Sequence, residues 1–294
     1  MRFTSVFRLT VHAFLTSALT FTLASSPAAK ETTAPVVPLR GIFYTADDLA
    51  RAREALEREP WRQKLRDRIT SAADVWLARD DQWIREILPP PGSLFAYGRS
   101  GCPECGAEWK NFGVSTCSFE RPGKVICPQC SRIYPDPDPA SPYHDTGRGV
   151  TINGKRYYFV GIWNAFVVQN LYAWFNEPEC ALSVLSHAYA LTGREEYARK
   201  AIVIMDALAT LGPTTRGPRD FDPTGRPDSD QGRFHHLTSI AYRAVADLAR
   251  DYDLVGRHPR LSSDSPSSPG VTMAENIRRG LFEDYPFRHF DVRG

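Results

Sequence analysis

The sequence predicts a mainly α-helical fold of antiparallel helix hairpins, interrupted by a short cysteine-rich β insertion and one β-hairpin. Three observations carry that expectation. Apolar residues recur at i, i+3 and i+4 on both sides of the insertion, the mark of amphipathic helices. Some helical stretches are parted only by very short turns, Thr192-Gly193 being the clearest, which folds neighbours into antiparallel hairpins. Between 98 and 135 the helical pattern stops, and two CPxC knuckles, Cys102-Pro-Glu-Cys105 and Cys127-Pro-Gln-Cys130, take its place. Paired helices suit an α-hairpin toroid or solenoid in which loops at one end line a cleft. A generic helical bundle is the alternative, and no short exact repeat decides between them.

The first helix opens at Thr45, whose hydroxyl can cap it, with Asp47 and Asp48 in the first turn where the dipole favours acids. Leu49, Ala52, Ala55 and Leu56 form its apolar stripe. Pro60 restarts the chain, and Trp61, Leu65, Ile69, Ala72, Ala73, Trp76 and Leu77 carry a second helix to about Ala78. Trp83, Ile84, Ile87 and Leu88 continue weakly until Pro89-Pro90-Pro91. Lys124-Val125-Ile126 and Arg132-Ile133-Tyr134 read as short strands flanking the second knuckle. Thr151 to Phe159 reads as a hairpin turning at Asn153-Gly154.

Helix returns from Trp163, with Phe166, Val167, Asn170, Leu171 and Trp174 on one face. A helix over about Glu179–Leu191 stops at Gly193, a C′ glycine, and Glu195–Leu208 follows. A long Pro-rich polar loop spans Gly212–Gly232. Further helices are expected over about Phe234–Leu254 and Met273–Phe282.

With 294 residues, 42% of them hydrophobic, the chain suffices for one large or two small domains. Its 36 basic and 34 acidic residues give a net charge of +2, so no global field recruits nucleic acid. Residues 1–28 read as a signal peptide: Arg2 and Arg8 lead an apolar Leu9–Leu23, and Ser26-Pro27-Ala28 places small residues for a cut after Ala28. That run is shorter than the roughly 20 residues a spanning helix needs, so no stable membrane insertion is expected. The expected localisation is secreted or periplasmic. Residues 29–40 form a linker around Ala34-Pro35-Val36-Val37-Pro38, and 41–294 form the helical domain.

In C-x₂-C-x₂₁-C-x₂-C spacing, each knuckle turns two thiolates to one side, and Gly106 permits the tight turn after the first. Four thiolates, Cys102, Cys105, Cys127 and Cys130, close a tetrahedral shell around a structural Zn²⁺. The module at 98–135 is therefore expected to be a small zinc ribbon. Export makes disulfides the alternative. Cys117 and Cys180 are left over and read as small buried apolar residues, with a bond between them possible.

Taken together, the TADDLARAREALEREPW helix, a helix containing ADVWL, the GRSGCPECG…CPQCSRIYP insertion, an NGKRYYF hairpin, a GIWNAF helix, ALSVLSHAYALTGREEYARKAIVIMDAL and a helix ending ARDYDLV resemble the N-terminal part of heparinase II/III-like proteins. The resemblance covers roughly Gly41–Phe282. It implies an incomplete (α/α) toroid, to be followed in the full-length protein by a C-terminal β-sandwich. The implied activity is β-elimination on a secreted, acidic, uronate-containing polysaccharide. In that chemistry Asn, His or Arg donors neutralise the uronate carboxylate, a Tyr or His removes the adjacent proton, and a Tyr protonates the leaving oxygen. The family's catalytic Tyr, His and Asn are expected beyond Gly294.

Within the chain, His235 and His236 open a helix after the basic loop with Arg233 and Tyr242 near, a place suited to an anion. Asn164 is a candidate sugar or carboxylate donor. Trp163, Tyr172 and Trp174 have the spacing of a buried face, although they could stack on sugar rings. His187 reads as structural. Asp220, Asp222, Asp228 and Asp230 allow a rival reading as a toroidal glycoside hydrolase, which needs paired carboxylates. A non-catalytic, zinc-stapled module that binds glycan or protein is the remaining alternative.

Overall fold

A computed structural model describes residues 41–96, 98, 100–172, 180–214 and 238–287, with side chains except at 111–112, 238–244 and 284–287. The protein is mainly helical, with two small two-stranded sheets. The proposed signal peptide, the linker, Trp174, Arg233, His235, His236 and the acids of the 220–230 loop lie outside the described residues.

Helix α1 (Ala46–Arg58) begins as its sequence dictates. Thr45 Oγ1 accepts from the Asp48 N–H and the Asp48 carboxylate accepts from the Thr45 N–H, a reciprocal capping box. Helix α2 (Pro60–Leu77) starts on Pro60, whose missing N–H costs nothing at that position. Its expected inward stripe is corrected at one end: Ala73 and Trp76 are buried, but Trp61 is 59% and Leu65 47% exposed. The Trp61 indole N–H is satisfied by Glu59 and its ring is covered by the Arg62 guanidinium, so the side chain has surface partners and no need of the core. Helix α3 (Asp81–Ile87) is capped by the Asp80 carboxylate.

Helix α4 (Phe159–Tyr172) starts earlier than its sequence pattern indicated, because Phe159 is its first residue and not a strand residue. The cause is Asp145. Its buried carboxylate accepts from the N–H groups of Gly147 and Gly149 at 2.8 Å and of Val160 at 3.0 Å, so a remote residue caps the helix. Apolar residues surround α4, as expected of a helix enclosed by other elements.

Helices α5 (Ala181–Thr192) and α6 (Glu195–Ala209) form the expected hairpin, with Gly193 in the left-handed conformation and its N–H bonded to the Tyr189 carbonyl at 2.7 Å. Helix α5 is the hub, packing against α1, α2, α4, α6 and α7 (Thr238–Val255). Its small residues, Ala181, Ala188, Ala190 and Ser186, let those neighbours approach closely, and all are buried. One apolar core runs through this array. Lys200 on α6 is 2% exposed, and its ammonium donates to Asp81 Oδ1 and the Arg79 carbonyl, tying α3 to α6.

The last predicted helix is also corrected. Helix α8 (Met273–Ile277) gives way to a π-helical segment over Arg278–Phe287. Gly280 there presses on the Ala209 carbonyl at the end of α6, a contact that only a residue without Cβ permits. Among the described residues, no helix is long and apolar enough to cross a membrane.

Candidate metal centre

Two knuckles with the same sequence form fold in the same way. In the first, the Cys102 N–H donates to the Ala107 carbonyl and the Gly106 N–H to the Cys102 carbonyl, at 2.8 and 3.0 Å. In the second, the Cys127 N–H donates to the Arg132 carbonyl and the Ser131 N–H to the Cys127 carbonyl, both at 2.9 Å. The residue after the second cysteine is left-handed in both, Gly106 at φ 74° and Ser131 at φ 60°. A serine tolerates that strain because the two backbone bonds around it fix the turn.

The outcome is four converging sulfurs. Cys102, Cys105, Cys127 and Cys130 place their Sγ atoms within 4.8 Å of one another, a group that could hold a metal ion. Cys102 Sγ stands 3.7 Å from Cys130 Sγ, and Cys105 Sγ 3.7 Å from Cys127 Sγ. A disulfide requires about 2.0 Å. A tetrahedron with metal–sulfur arms of about 2.3 Å has edges of about 3.8 Å. The separations therefore fit a shared ion and exclude disulfides in this arrangement. Cys102 and Cys127 are buried, while Cys105 and Cys130 face outward.

The electrostatics point the same way. Burial alone would raise the Cys127 thiol, but the backbone N–H groups of Cys130 and Gln129 and the Trp109 indole outweigh it and lower it to about 6. The Arg132 N–H favours a Cys130 thiolate, yet burial and the three neighbouring sulfurs push that thiol up to about 12. For Cys105 the Ala107 N–H and Cys130 lower the thiol, but burial with the Cys102 and Cys127 sulfurs raises it above its ordinary value. Backbone donors thus favour thiolates that repel one another, and a cation resolves the conflict. The Trp109 indole nitrogen is buried and has no conventional hydrogen-bond partner, which fits a donor to a metal-bound sulfur.

A second layer supports the sulfurs. Tyr134 is fully buried, with its Oη 3.2 Å from Cys102 Sγ. Strand β1 (Val125–Ile126) pairs antiparallel with β2 (Ile133–Tyr134), and the alternation of β2 turns Tyr134 inward and Ile133 outward. The Tyr134 ring stacks on Phe159 at 4.4 Å. The second hairpin, β3 (Val150–Ile152) with β4 (Lys155–Tyr157), adds Ile152 and Tyr157 to the same small core. A 3₁₀ helix over Lys110–Thr116, which the sequence pattern did not reveal, packs on α4. Phe119, between the knuckles, then enters an aromatic cluster of Trp76, Trp83, Trp163 and Phe166, with centroids 4.8–6.2 Å away.

No disulfide joins Cys117 and Cys180: Cys180 is buried, and Cys117 is half-buried where the two apolar clusters meet. Burial pushes the Cys117 thiol up to about 12, leaving it an inert apolar filler.

The other candidates disperse. Asn164 is 4% exposed, and its amide donates to the Leu94 carbonyl at 2.9 Å, holding the approach to the ribbon against α4. Trp163 and Tyr172 are buried in the helical core. Tyr242 lies on α7, but its side chain is outside the described residues. His187 is half-exposed, bonded through Nδ1 to the Ser183 carbonyl, 3.8 Å from Asp251 and edge-on to Tyr44. Sequence reasoning missed Tyr134, Trp109, Phe119 and Asp145. The alternation around Ile133 could have found the first, but the rest make contacts that only the tertiary fold reveals.

The fold and the site together define a mainly helical protein carrying a four-cysteine module with metal-binding geometry. No protein-family model matches the sequence, and neither curated proteins nor solved structures give a match.

Proposed function

We propose that the four cysteines hold one structural Zn²⁺, and that the chain is the helical part of an exported polysaccharide lyase acting on uronate-containing chains. The pair of 3.7 Å sulfur separations carries the metal assignment. Four thiolates select a soft or borderline ion, and zinc suits a folding role because it has no redox chemistry. Its shell would be closed by protein, with no position for substrate, so the ion acts as a staple and not as a Lewis acid.

The lyase reading is supported by the order of pieces: capped helix, CPxC ribbon, hairpin, aromatic helix and α5–α6 pair. In this reading the helices are part of an (α/α) toroid, residues 1–28 direct export, and β-elimination is completed by a Tyr, His and Asn set supplied elsewhere in a longer protein. The test is incubation of the full-length protein with heparan, chondroitin and alginate. Ultraviolet absorbance of an unsaturated uronate should rise for at least one of them. No rise on all three would overturn the reading.

A non-catalytic, glycan- or protein-binding role is the second reading. It is favoured by the burial of Asn164 and its engagement with the Leu94 carbonyl. Glycan binding without unsaturated product would establish that role.

A further inference from the structure

The four sulfurs of the cysteine centre differ in what solvent can reach. Cys105 and Cys130 are exposed, whereas Cys102 and Cys127 are buried. Each inner sulfur is also screened by an aromatic side chain. The Tyr134 hydroxyl lies 3.2 Å from Cys102 Sγ, and the Trp109 indole N–H lies against Cys127. Each outer sulfur stands 3.7 Å from an inner sulfur of the other knuckle, Cys105 from Cys127 and Cys130 from Cys102. Both cross-knuckle pairs therefore join a sulfur that a small solute meets to one that it does not.

Coordination holds all four sulfurs as thiolates, because a metal ligand must be deprotonated. Thiolates are the form that peroxides oxidise, and accessible ones react first. An ion withdraws charge from the sulfurs and slows them, so they resist a brief thiol titration, but it leaves each outer sulfur a lone pair for attack on a stronger oxidant. Cys117 and Cys180 offer no equivalent: Cys180 is buried, and burial keeps Cys117 protonated.

We infer that the cysteine centre is a site of reversible oxidation by hydroperoxides, with Cys105 and Cys130 the attacking sulfurs and Cys127 and Cys102 their resolving partners. The inference rests on the zinc reading proposed above. The Cys105 thiolate attacks one oxygen of hydrogen peroxide, the O–O bond breaks, and a sulfenic acid forms while hydroxide leaves and is protonated to water. The Cys127 thiolate then attacks the sulfenic sulfur, the S–S bond forms, and the second hydroxide leaves as water. Cys130 and Cys102 repeat the sequence with a second peroxide. Sulfur is oxidised, peroxide is reduced, and one proton from solvent is taken up for each thiolate consumed.

The choice of partner follows from the knuckles. Within each, two backbone hydrogen bonds set the turn that spans its cysteines, and a bond between those cysteines would pull against that turn. A cross-knuckle bond needs closure from 3.7 Å to about 2.0 Å and leaves both turns as they are. The two disulfides leave the ion without ligands, so it departs, yet they join the same knuckles that it joined. The small core of Val125, Tyr134, Ile152, Tyr157 and Phe159 is not altered. Oxidation thus exchanges one staple for another and frees the metal.

The test begins with protein purified under reductant, desalted and assayed for zinc. Less than about half an equivalent would remove the zinc reading and this inference with it. From a chain holding about one zinc, hydrogen peroxide should release the ion to a chromophoric chelator, with about two peroxides consumed per zinc. Peptide mapping should recover Cys105–Cys127 and Cys102–Cys130 links, with Cys117 and Cys180 reduced. Dimedone present during limiting peroxide should label Cys105 and Cys130 ahead of Cys102 and Cys127. Dithiothreitol with zinc should restore the bound ion, and far-ultraviolet circular dichroism should hold throughout. Cys117→Ala should release its zinc to the same extent, because that thiol takes no part. Zinc retained against excess peroxide would overturn the inference and leave the structural zinc standing. Links within a knuckle, dimedone on the inner pair first, or release only through irreversible sulfinic acid would overturn it as well.

Discussion

Replacing Phe119 with alanine should separate the two jobs we propose for the ribbon, holding an ion and bracing the helical body. The ring sits 4.8 Å from Phe166, 5.4 Å from Trp83, 5.8 Å from Trp76 and 6.2 Å from Trp163. These partners come from α2, α3 and α4, so one side chain joins the insertion to three helices. A fully buried Phe→Ala change typically costs 3–5 kcal/mol. Phe119 is half-buried, which brings the expected loss to about 2–3 kcal/mol. Phe119 packs with the helical cluster, whereas Cys102, Cys127, Tyr134 and Trp109 belong to the ribbon's own cluster, so zinc affinity should change by less than about threefold. Urea denaturation followed by far-ultraviolet circular dichroism measures the first quantity, and competition with a chromophoric chelator the second. Tryptophan emission should also move to the red as water reaches Trp83 and Trp163. A loss below about 1 kcal/mol would refute the bracing role. A parallel collapse of zinc affinity would refute the separation of the two jobs.

Three further outcomes follow from the same contacts. Cys105→Ser should release the ion and unfold the ribbon while most helicity persists, read by metal content and circular dichroism together. Tyr134→Phe removes the hydroxyl 3.2 Å from Cys102 and should weaken zinc binding about 10- to 100-fold by chelator competition. Lys200→Met leaves Asp81 with Arg199 and the charge of Arg260 and should cost about 3 kcal/mol in urea unfolding. Burial works to raise the Asp81 carboxyl, but the Lys200 hydrogen bond and charge, with Arg199, outweigh it and hold it below its ordinary 3.8. A depressed carboxyl stabilises fully above the unfolded value and loses that contribution as pH falls through the folded one. The destabilisation by Lys200→Met should therefore be largest at neutral pH and shrink below about pH 4.

Local chemistry made much of this structure legible. The Thr45 capping box, the Asn153-Gly154 turn, the Gly193 stop and the CPxC knuckles each depend on residues within a few positions of one another, and each formed as expected. What escaped depends on distance along the chain. Asp145 starts α4 from 14 residues upstream of Phe159. Trp61 and Leu65 share the period of buried residues but stay largely exposed, because no distant element among the described residues arrives to cover them. Gly280, in the π segment after α8, lies against a carbonyl at the end of α6 that is 71 residues upstream. At the candidate metal centre the four cysteines were readable from spacing, whereas Trp109 and Phe119 entered only through packing. Periodicity shows which face of an element is apolar; it does not show what will arrive to cover that face.

The central claim is that four cysteines hold one structural zinc. Elemental analysis of the purified protein, paired with thiol titration before and after chelation, tests it most directly. The account predicts about one zinc per chain, with Cys102, Cys105, Cys127 and Cys130 unreactive until the ion is removed. Less than about half an equivalent of zinc, with those four thiols recovered as disulfides, would contradict it.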